Sequence, residues 1–185
     1  DDEDIYRARI HEILDGYGRV ASPYVYEYKE VKTVVPPINE YLYAGIALVT
    51  GLSGAIVLSK FLFPAILFFL VYMLVTRLLS REDEDDAMWN GIASGLLVTL
   101  GYDLVDYRTV LGIISNGTDI EHLLVWTRLV NPITGALVFF AFLVSLWAVF
   151  TRGGWKMTLL SSTLLAVSVG YFFSFGIAAS TLGAL

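Results

Sequence analysis

The sequence predicts an all-α membrane protein, a polytopic helical bundle of about five transmembrane helices that follows a short polar N-terminal segment. Of its 185 residues, 56% are apolar, whereas soluble domains are about 45–50% apolar. The mean hydropathy is +0.66, and the apolar residues are concentrated in long tracts. A helix of about 20 apolar residues crosses a bilayer and satisfies its own backbone amides there. The tracts therefore predict membrane spans.

Residues 1–40 form the polar segment, which we expect to be cytoplasmic. Apolar residues at helical spacing predict a helix in its first half: Tyr6, Ile10, Ile13, Leu14 and Tyr17. Residues 24–35 are rich in Tyr and Val, which favours an extended stretch. After Pro36–Pro37, Asn39 is placed to cap the next helix. The segment lacks the apolar core of a signal peptide, so we expect the first span to direct insertion.

The apolar tract over residues 41–79 is long enough for two spans. Only Lys60 and Arg77 interrupt it with charge. We place a turn at Ser59–Lys60, which gives spans over 41–58 and 61–79. A turn at Gly51–Gly54 is the alternative, but it leaves one span short of the roughly 20 residues required.

A loop and a third span follow. The acidic run over 81–86 predicts the loop, and residues 88–105 are apolar enough for the span. Thr118 and Glu121 match a capping box. They predict a short helix over 119–130 that lies at the membrane interface.

The last two spans are predicted from the C-terminal third. Asn131–Pro132 supplies a cap and a first-turn proline for a span over 132–150. A short loop over 151–156 precedes an apolar tract that is longer than one straight span. We expect a helix over about 157–180 that is tilted, bent near Gly170 or Gly176, or extended beyond the bilayer.

Basic residues predict the orientation. With five spans and a cytoplasmic N-terminus, three of the 12 Lys and Arg residues lie outside, namely Lys60, Arg108 and Arg128. The others lie inside, as the positive-inside rule requires. Asn116, in the sequence Asn-Gly-Thr, is then a candidate for N-glycosylation on the outer side. The prediction is a multi-pass protein of the cell (plasma) membrane with its C-terminus outside.

The candidate polar site lies around the end of the third span. Asp103 and Asp106 share a helix face, and Arg108 follows them. Glu121 and His122 are predicted on the same side of the membrane. Ionisable groups at membrane depth are often functional, so these residues could handle an ion or a proton. The alternative is that the span ends before them and that they meet water at the surface.

Small residues at spacings of four predict close helix packing. The three pairs are Gly51 with Ala55, Gly91 with Gly95, and Gly176 with Ser180. The sequence does not decide between packing within the chain and packing against another subunit.

Several functions lack a matching pattern. The chain has no cysteine and a net charge of −6, so thiol chemistry is excluded and nucleic acid is a poor partner. It carries no block of Lys and Arg that would predict an anionic-lipid surface. We predict no metal and no cofactor, because zinc, phosphate-loop, dinucleotide and serine-nucleophile motifs are missing.

The leading functional hypothesis is a non-catalytic subunit or scaffold of a larger membrane assembly. Its partners would be the lipid bilayer and other membrane subunits, or further copies of itself. The alternative is a small oligomeric channel or transporter that uses Asp103 and Asp106. A third hypothesis is a lipid-modifying membrane enzyme, although the balance of motifs is against an enzyme.

Overall fold

The structure is a computed structural model and describes residues 2–17, 20, 36–79, 83–105, 115, 126 and 128–184. All elements in these ranges are helical, which confirms the predicted all-helical class at that level. A 3-10 turn, Ser168–Gly170, connects the last two helices. The helices are α1 (Asp2–Leu14), α2 (Ile38–Leu78), α3 (Glu84–Val105), α4 (Ile133–Arg152), α5 (Trp155–Val167) and α6 (Phe172–Gly183).

The chain reverses direction within α2. Gly51 interrupts the helix with φ 73° and ψ 162°. The ring centroids of Tyr43 and Phe63 lie 5.3 Å apart, whereas twenty residues of straight helix would separate these positions by about 30 Å. Residues 38–50 therefore fold back against residues 52–78.

The predicted turn at Ser59–Lys60 is wrong. Ser59 is buried and helical, and its hydroxyl donates a hydrogen bond to the Ile56 carbonyl at 2.8 Å. The alternative turn, which begins at Gly51, is the one that forms, because glycine adopts a positive φ without a steric cost. Pro64 lies inside the helix that continues through Ser59.

The bundle has two ends that are defined by long-range contacts. At the Asn39 end, the Asn39 amide at the start of α2 contacts Asn131 before α4 and Gly170 before α6. At the Arg77 end, Arg77 in the last turn of α2 and Arg152 at the end of α4 line one cavity.

Five helical segments run between these two ends. Residues 52–78 and α4 lead to the Arg77 end. α3 packs on α2 in the opposite direction, and α5 leads back along α4 to Gly170. α6 then begins against Gly135 and ends with Leu182 beside Phe150 at the Arg77 end.

Among the described residues, two helices are long and apolar enough to cross a membrane by length and composition. They are α2 and α4, each with a mean hydropathy of 2.3 in its most apolar window. These two helices suggest a membrane protein by length and composition alone. α5 and α6 contain 13 and 12 residues, which is about 20 Å of helix. The region predicted as one span over 157–180 therefore consists of two short helices. The chain bends near Gly170, which was one of the predicted alternatives.

Candidate functional site

Most residues of the predicted polar site lie outside the described part of the chain. Asp103 is in the last turn of α3. The other members of that site and the glycosylation candidate fall in the undescribed ranges: Asp106, Arg108, Asn116, Glu121 and His122. The ion-handling site therefore stays a prediction.

Two predicted elements also fall largely outside the described residues. The extended stretch over 24–35 is one of them. The other is the interfacial helix over 119–130, of which Trp126 is in a 3-10 conformation and residues 128–130 form a bend.

A buried ion pair ties α1 to the start of α2. Arg9 Nη1 lies 3.0 Å from Glu40 Oε1, and the two side chains are 17% and 6% exposed. Arg9 is one helical turn after Tyr6, so both side chains lie on the same face of α1. Removal of two charges from water is costly unless they are paired. The pairing therefore fixes where α1 docks.

Amide hydrogen bonds extend this contact to two further segments. Asn39 Nδ2 donates to Asn131 Oδ1 at 3.0 Å and to the Gly170 carbonyl at 3.3 Å. Asn131 Nδ2 donates to the Tyr6 hydroxyl at 3.3 Å. We call the group of Tyr6, Arg9, Asn39, Glu40 and Asn131 the Asn39 cluster. It joins α1, α2, the start of α4 and the turn before α6.

A second layer of hydrogen bonds supports Asn131. The backbone N–H of Val130 donates to the Tyr43 hydroxyl at 3.2 Å, and the Thr134 hydroxyl donates to the Val130 carbonyl. Val130 has φ 66°, which is unusual for a β-branched residue. Because both of its backbone polar groups are bonded and its side chain is fully buried, the surrounding contacts hold this conformation.

Asn39 and Asn131 have roles that differ from the predicted ones. Both were expected to cap helices, but the cap positions of α2 and α4 are Pro37 and Pro132, without a side-chain hydrogen bond. The two amide side chains bond to each other instead. The predictions of two asparagine caps are therefore wrong, because tertiary hydrogen bonds replace local ones.

No known protein family, characterised protein or solved structure matches this chain. The function is therefore inferred from the physical properties of its own residues.

Two buried atoms of α1 lack a hydrogen-bond partner among the described residues. They are Arg9 Nε and Glu12 Oε2, which lie one helical turn apart. Arg9 thus uses only part of its donor set in the pair with Glu40. A buried polar atom that stays unbonded costs about 1–3 kcal/mol. The Asn39 cluster therefore connects helices, and the two buried polar atoms beside it have no hydrogen-bond partner among the described residues.

The predicted helix-packing residues have different environments. A Cβ on Gly91 would lie 2.8 Å from Thr76 Cγ2, and one on Gly95 would lie 2.7 Å from the Phe68 ring. This pair packs within the chain, between α3 and α2. Ala55 is buried beside the turn at Gly51, whereas Gly176 and Ser180 are exposed on α6.

The sequence contained one signal for the Asn39 cluster. Asn39 and Glu40 stand directly before the long apolar tract, where a carboxylate is costly unless it is paired. The partner could not be identified in the same way, because Arg9 is distant in sequence and lies on a helix that is charged on several faces.

Proposed function

We propose that this chain is a multi-pass protein of the cell membrane and a non-catalytic subunit or scaffold of a larger membrane assembly. The proposal is supported by the face of α6 that points away from the helical bundle. Its large apolar side chains are between 55% and 74% exposed, namely Phe172, Phe173 and Ile177. Gly176 and Ser180 are exposed between them, one helical turn apart.

Outward apolar surface on other helices supports the membrane location. Phe61 and Trp155 are each at least 72% exposed. Soluble monomers rarely expose contiguous apolar patches larger than a few hundred Å². Lipid tails are as apolar as these side chains, so a bilayer accommodates the same surface without cost.

The small residues of α6 support a partner helix as the occupant of this face. A Cβ on Gly176 would meet nothing within 4 Å. The Ser180 hydroxyl donates to the Gly176 carbonyl at 2.8 Å, so its polar group is satisfied within the helix. Ser174 and Ala178, on the opposite side, are buried in the bundle. In a bilayer, helices associate where small residues let their backbones approach.

The proposed topology keeps a cytoplasmic N-terminus and an outer C-terminus. The segments differ from the predicted spans. Residues 38–50 belong to the cytoplasmic side, and the full passages are residues 52–78, α3 and α4. Because α5 and α6 are too short for full passages, they enter the bilayer from the outer side and return to it. The contact between Asn39 and Asn131 supports this assignment, because the five predicted spans would place these two residues on opposite faces.

The proposal is tested with the intact chain in its native membrane. We expect extraction to require detergent, and native electrophoresis in mild detergent to show a complex larger than one chain. The variant Gly176→Leu is expected to reduce the complex to free chain without loss of helical content, because space is available for the new side chain.

Two glycine variants serve as controls. Gly45→Leu is matched to Gly176→Leu, since it is also exposed and free of neighbours, and it should leave the complex intact. Gly135→Leu should disrupt the fold itself, because its Cβ would overlap the Tyr171 ring. A parent chain that purifies as a monodisperse, partner-free monomer would contradict the proposed role.

A further inference from the structure

A polar cavity of about 340 Å³ opens at the Arg77 end of the bundle. Its lining comes from the last turn of α2 and the last two turns of α4: Arg77, Trp147, Ala148, Thr151 and Arg152. The two arginines are far apart in the sequence, and the parallel arrangement of the two helices brings them to one cavity.

Two cations line this cavity, and none of the described residues that line it is acidic. Within the ranges that the structure describes, neither Arg77 nor Arg152 forms an ion pair with a carboxylate. The acidic residues at the start of α3, Asp83 to Asp86, are exposed at the same end, but none of them lines the cavity. Two like charges that line one cavity favour a bound anion, and the planar guanidinium group matches phosphate oxygens in geometry.

Stabilisation of helix C-termini explains part of this arrangement. A basic residue in the last turn interacts favourably with the helix dipole, and Arg77 and Arg152 both occupy such positions. The dipole does not require the two side chains to line the same cavity. Thr151 adds a hydroxyl to the lining, which in the structure donates to the Trp147 carbonyl at 2.9 Å.

Tryptophans place the cavity at the level of lipid headgroups. Trp147 lines it, and Trp89 and Trp155 are exposed near the starts of α3 and α5 at the same end. Tryptophan is enriched at membrane–water interfaces, where one part of its ring system is apolar and another is polar. The anion that is abundant at this depth is the phosphate of a phospholipid.

We propose that this cavity binds the phosphate of an anionic phospholipid headgroup through Arg77 and Arg152. The inference rests on the proposed membrane location. It depends on neither the proposed subunit role nor the orientation, because phospholipid phosphates lie at both faces of a bilayer. Trp147 contacts the glycerol region of the lipid, and Thr151 turns its hydroxyl toward the phosphate.

The test uses the full chain, purified in an uncharged detergent and stripped of lipid. Native mass spectrometry measures binding of short-chain phosphatidylglycerol and phosphatidylcholine. Each basic residue near an anionic lipid contributes about fivefold in affinity, so the parent should prefer phosphatidylglycerol by roughly 25-fold. Arg77→Gln and Arg152→Gln should each lose about fivefold, and the double variant should show no preference.

Lys156→Gln is the matched control. It removes one positive charge at the same end, outside the residues that line the cavity. Because an exposed charge that does not contact the lipid is screened by solvent, the preference should change by less than about twofold. Circular dichroism and elution volume verify that each variant is folded. Equal binding of the two lipids by the parent would overturn the inference, and so would equal losses in Lys156→Gln and Arg77→Gln.

A competition experiment separates lipid from soluble anion. Inorganic phosphate should fail to displace phosphatidylglycerol, because it makes no contact with Trp147 or the apolar surface. Displacement at comparable concentrations would identify a soluble-anion site and overturn the inference. If the chain instead stays monodisperse in buffer without detergent, the proposed membrane location itself is wrong. This result distinguishes a failure of the proposed location from a failure of the lipid site alone.

Discussion

The ion pair between Arg9 and Glu40 is a charged contact between α1 and the helical domain. Its two side chains are mostly removed from water, and Arg9 Nε has no hydrogen-bond partner among the described residues. A buried pair contributes little net stability, but loss of one partner leaves a desolvated charge behind. The effect of a substitution therefore depends on whether one partner or both are changed.

Glu40→Gln is expected to lower the free energy of unfolding by about 3 kcal/mol, the low end for a broken buried pair, since Arg9 keeps some access to water. The double variant Arg9→Met/Glu40→Leu should recover most of this loss, because no unpaired charge remains. Denaturant titration in mixed micelles, monitored by circular dichroism, measures both values. A single variant within about 0.5 kcal/mol of the parent would show that the pair does not hold α1.

The sequence predicted the role of a residue correctly only where the residue interacts with near neighbours in the chain. The apolar positions Tyr6 and Ile10 correctly indicated α1, because helical spacing is encoded within a few residues. Asn39 and Asn131 were assigned as caps by the same local logic. Their actual bond to each other depends on the turn at Gly51 and on the path of the chain to α4, which no local pattern contains.

At the scale of single elements, glycine has two different roles in this fold. Gly51 supplies a backbone conformation that allows α2 to reverse. Gly91 and Gly95 supply space, because Tyr72 and Phe68 occupy the positions where their Cβ atoms would lie. The GxxxG spacing correctly indicated that Gly91 and Gly95 provide space for close packing. A turn at Gly51 was considered as an alternative to one at Ser59–Lys60, but it was rejected because it leaves one span too short.

Gly51→Ala is expected to destabilise the protein by about 1–3 kcal/mol, because its φ of 73° and ψ of 162° are strained for any residue with a Cβ. Space is not the cause, since nothing lies within 4 Å of the added atom. Gly45→Ala is the control: it lies in regular helix with equal space and should stabilise by about 0.5–1 kcal/mol. Thermal unfolding in detergent measures the two shifts, and shifts of the same sign would rule out a strained turn.

Gly95→Ala is expected to destabilise the α2–α3 contact by about 1–3 kcal/mol, because the new methyl group would lie 2.7 Å from the Phe68 ring. Adding Phe68→Leu should restore part of the loss by making room. Ala93→Leu, at an exposed position of the same helix, should change stability by less than about 0.5 kcal/mol. Equal effects of Gly95→Ala and Ala93→Leu on chemical unfolding would contradict close packing at Gly95.

At the scale of the whole molecule, composition and tract length were enough to predict helices and an apolar exterior. The assignment of tracts to passages was not, because it depends on where the chain reverses. One tract contains a reversal at Gly51, and another contains a bend at Gly170. A window of apolar residues has the same hydropathy whether its helix continues or folds back, so only the tertiary contacts of Tyr43 and Gly170 distinguish the two.

The topology gives the sharpest prediction for the whole molecule. The chain has no cysteine, so single cysteines can report which membrane face is reached by an impermeant maleimide. Asp15→Cys follows α1, Arg128→Cys precedes α4, and Lys156→Cys begins α5. Because Tyr6 and Asn131 are hydrogen-bonded, Asp15→Cys and Arg128→Cys should label from the same face and Lys156→Cys from the other.

The five spans predicted from the sequence give a different pattern, in which Asp15→Cys labels together with Lys156→Cys. A fourth reporter, Ala184→Cys, separates the arrangements again: it labels with Lys156→Cys if α6 ends beside Phe150, and with Arg128→Cys if residues 157–180 form one span. Both arrangements place the two termini on opposite faces, so the positions of the termini alone would not distinguish them. The arrangements are distinguished by which cysteines label from the same face. This pattern depends on where the chain reverses, and therefore on the turn at Gly51.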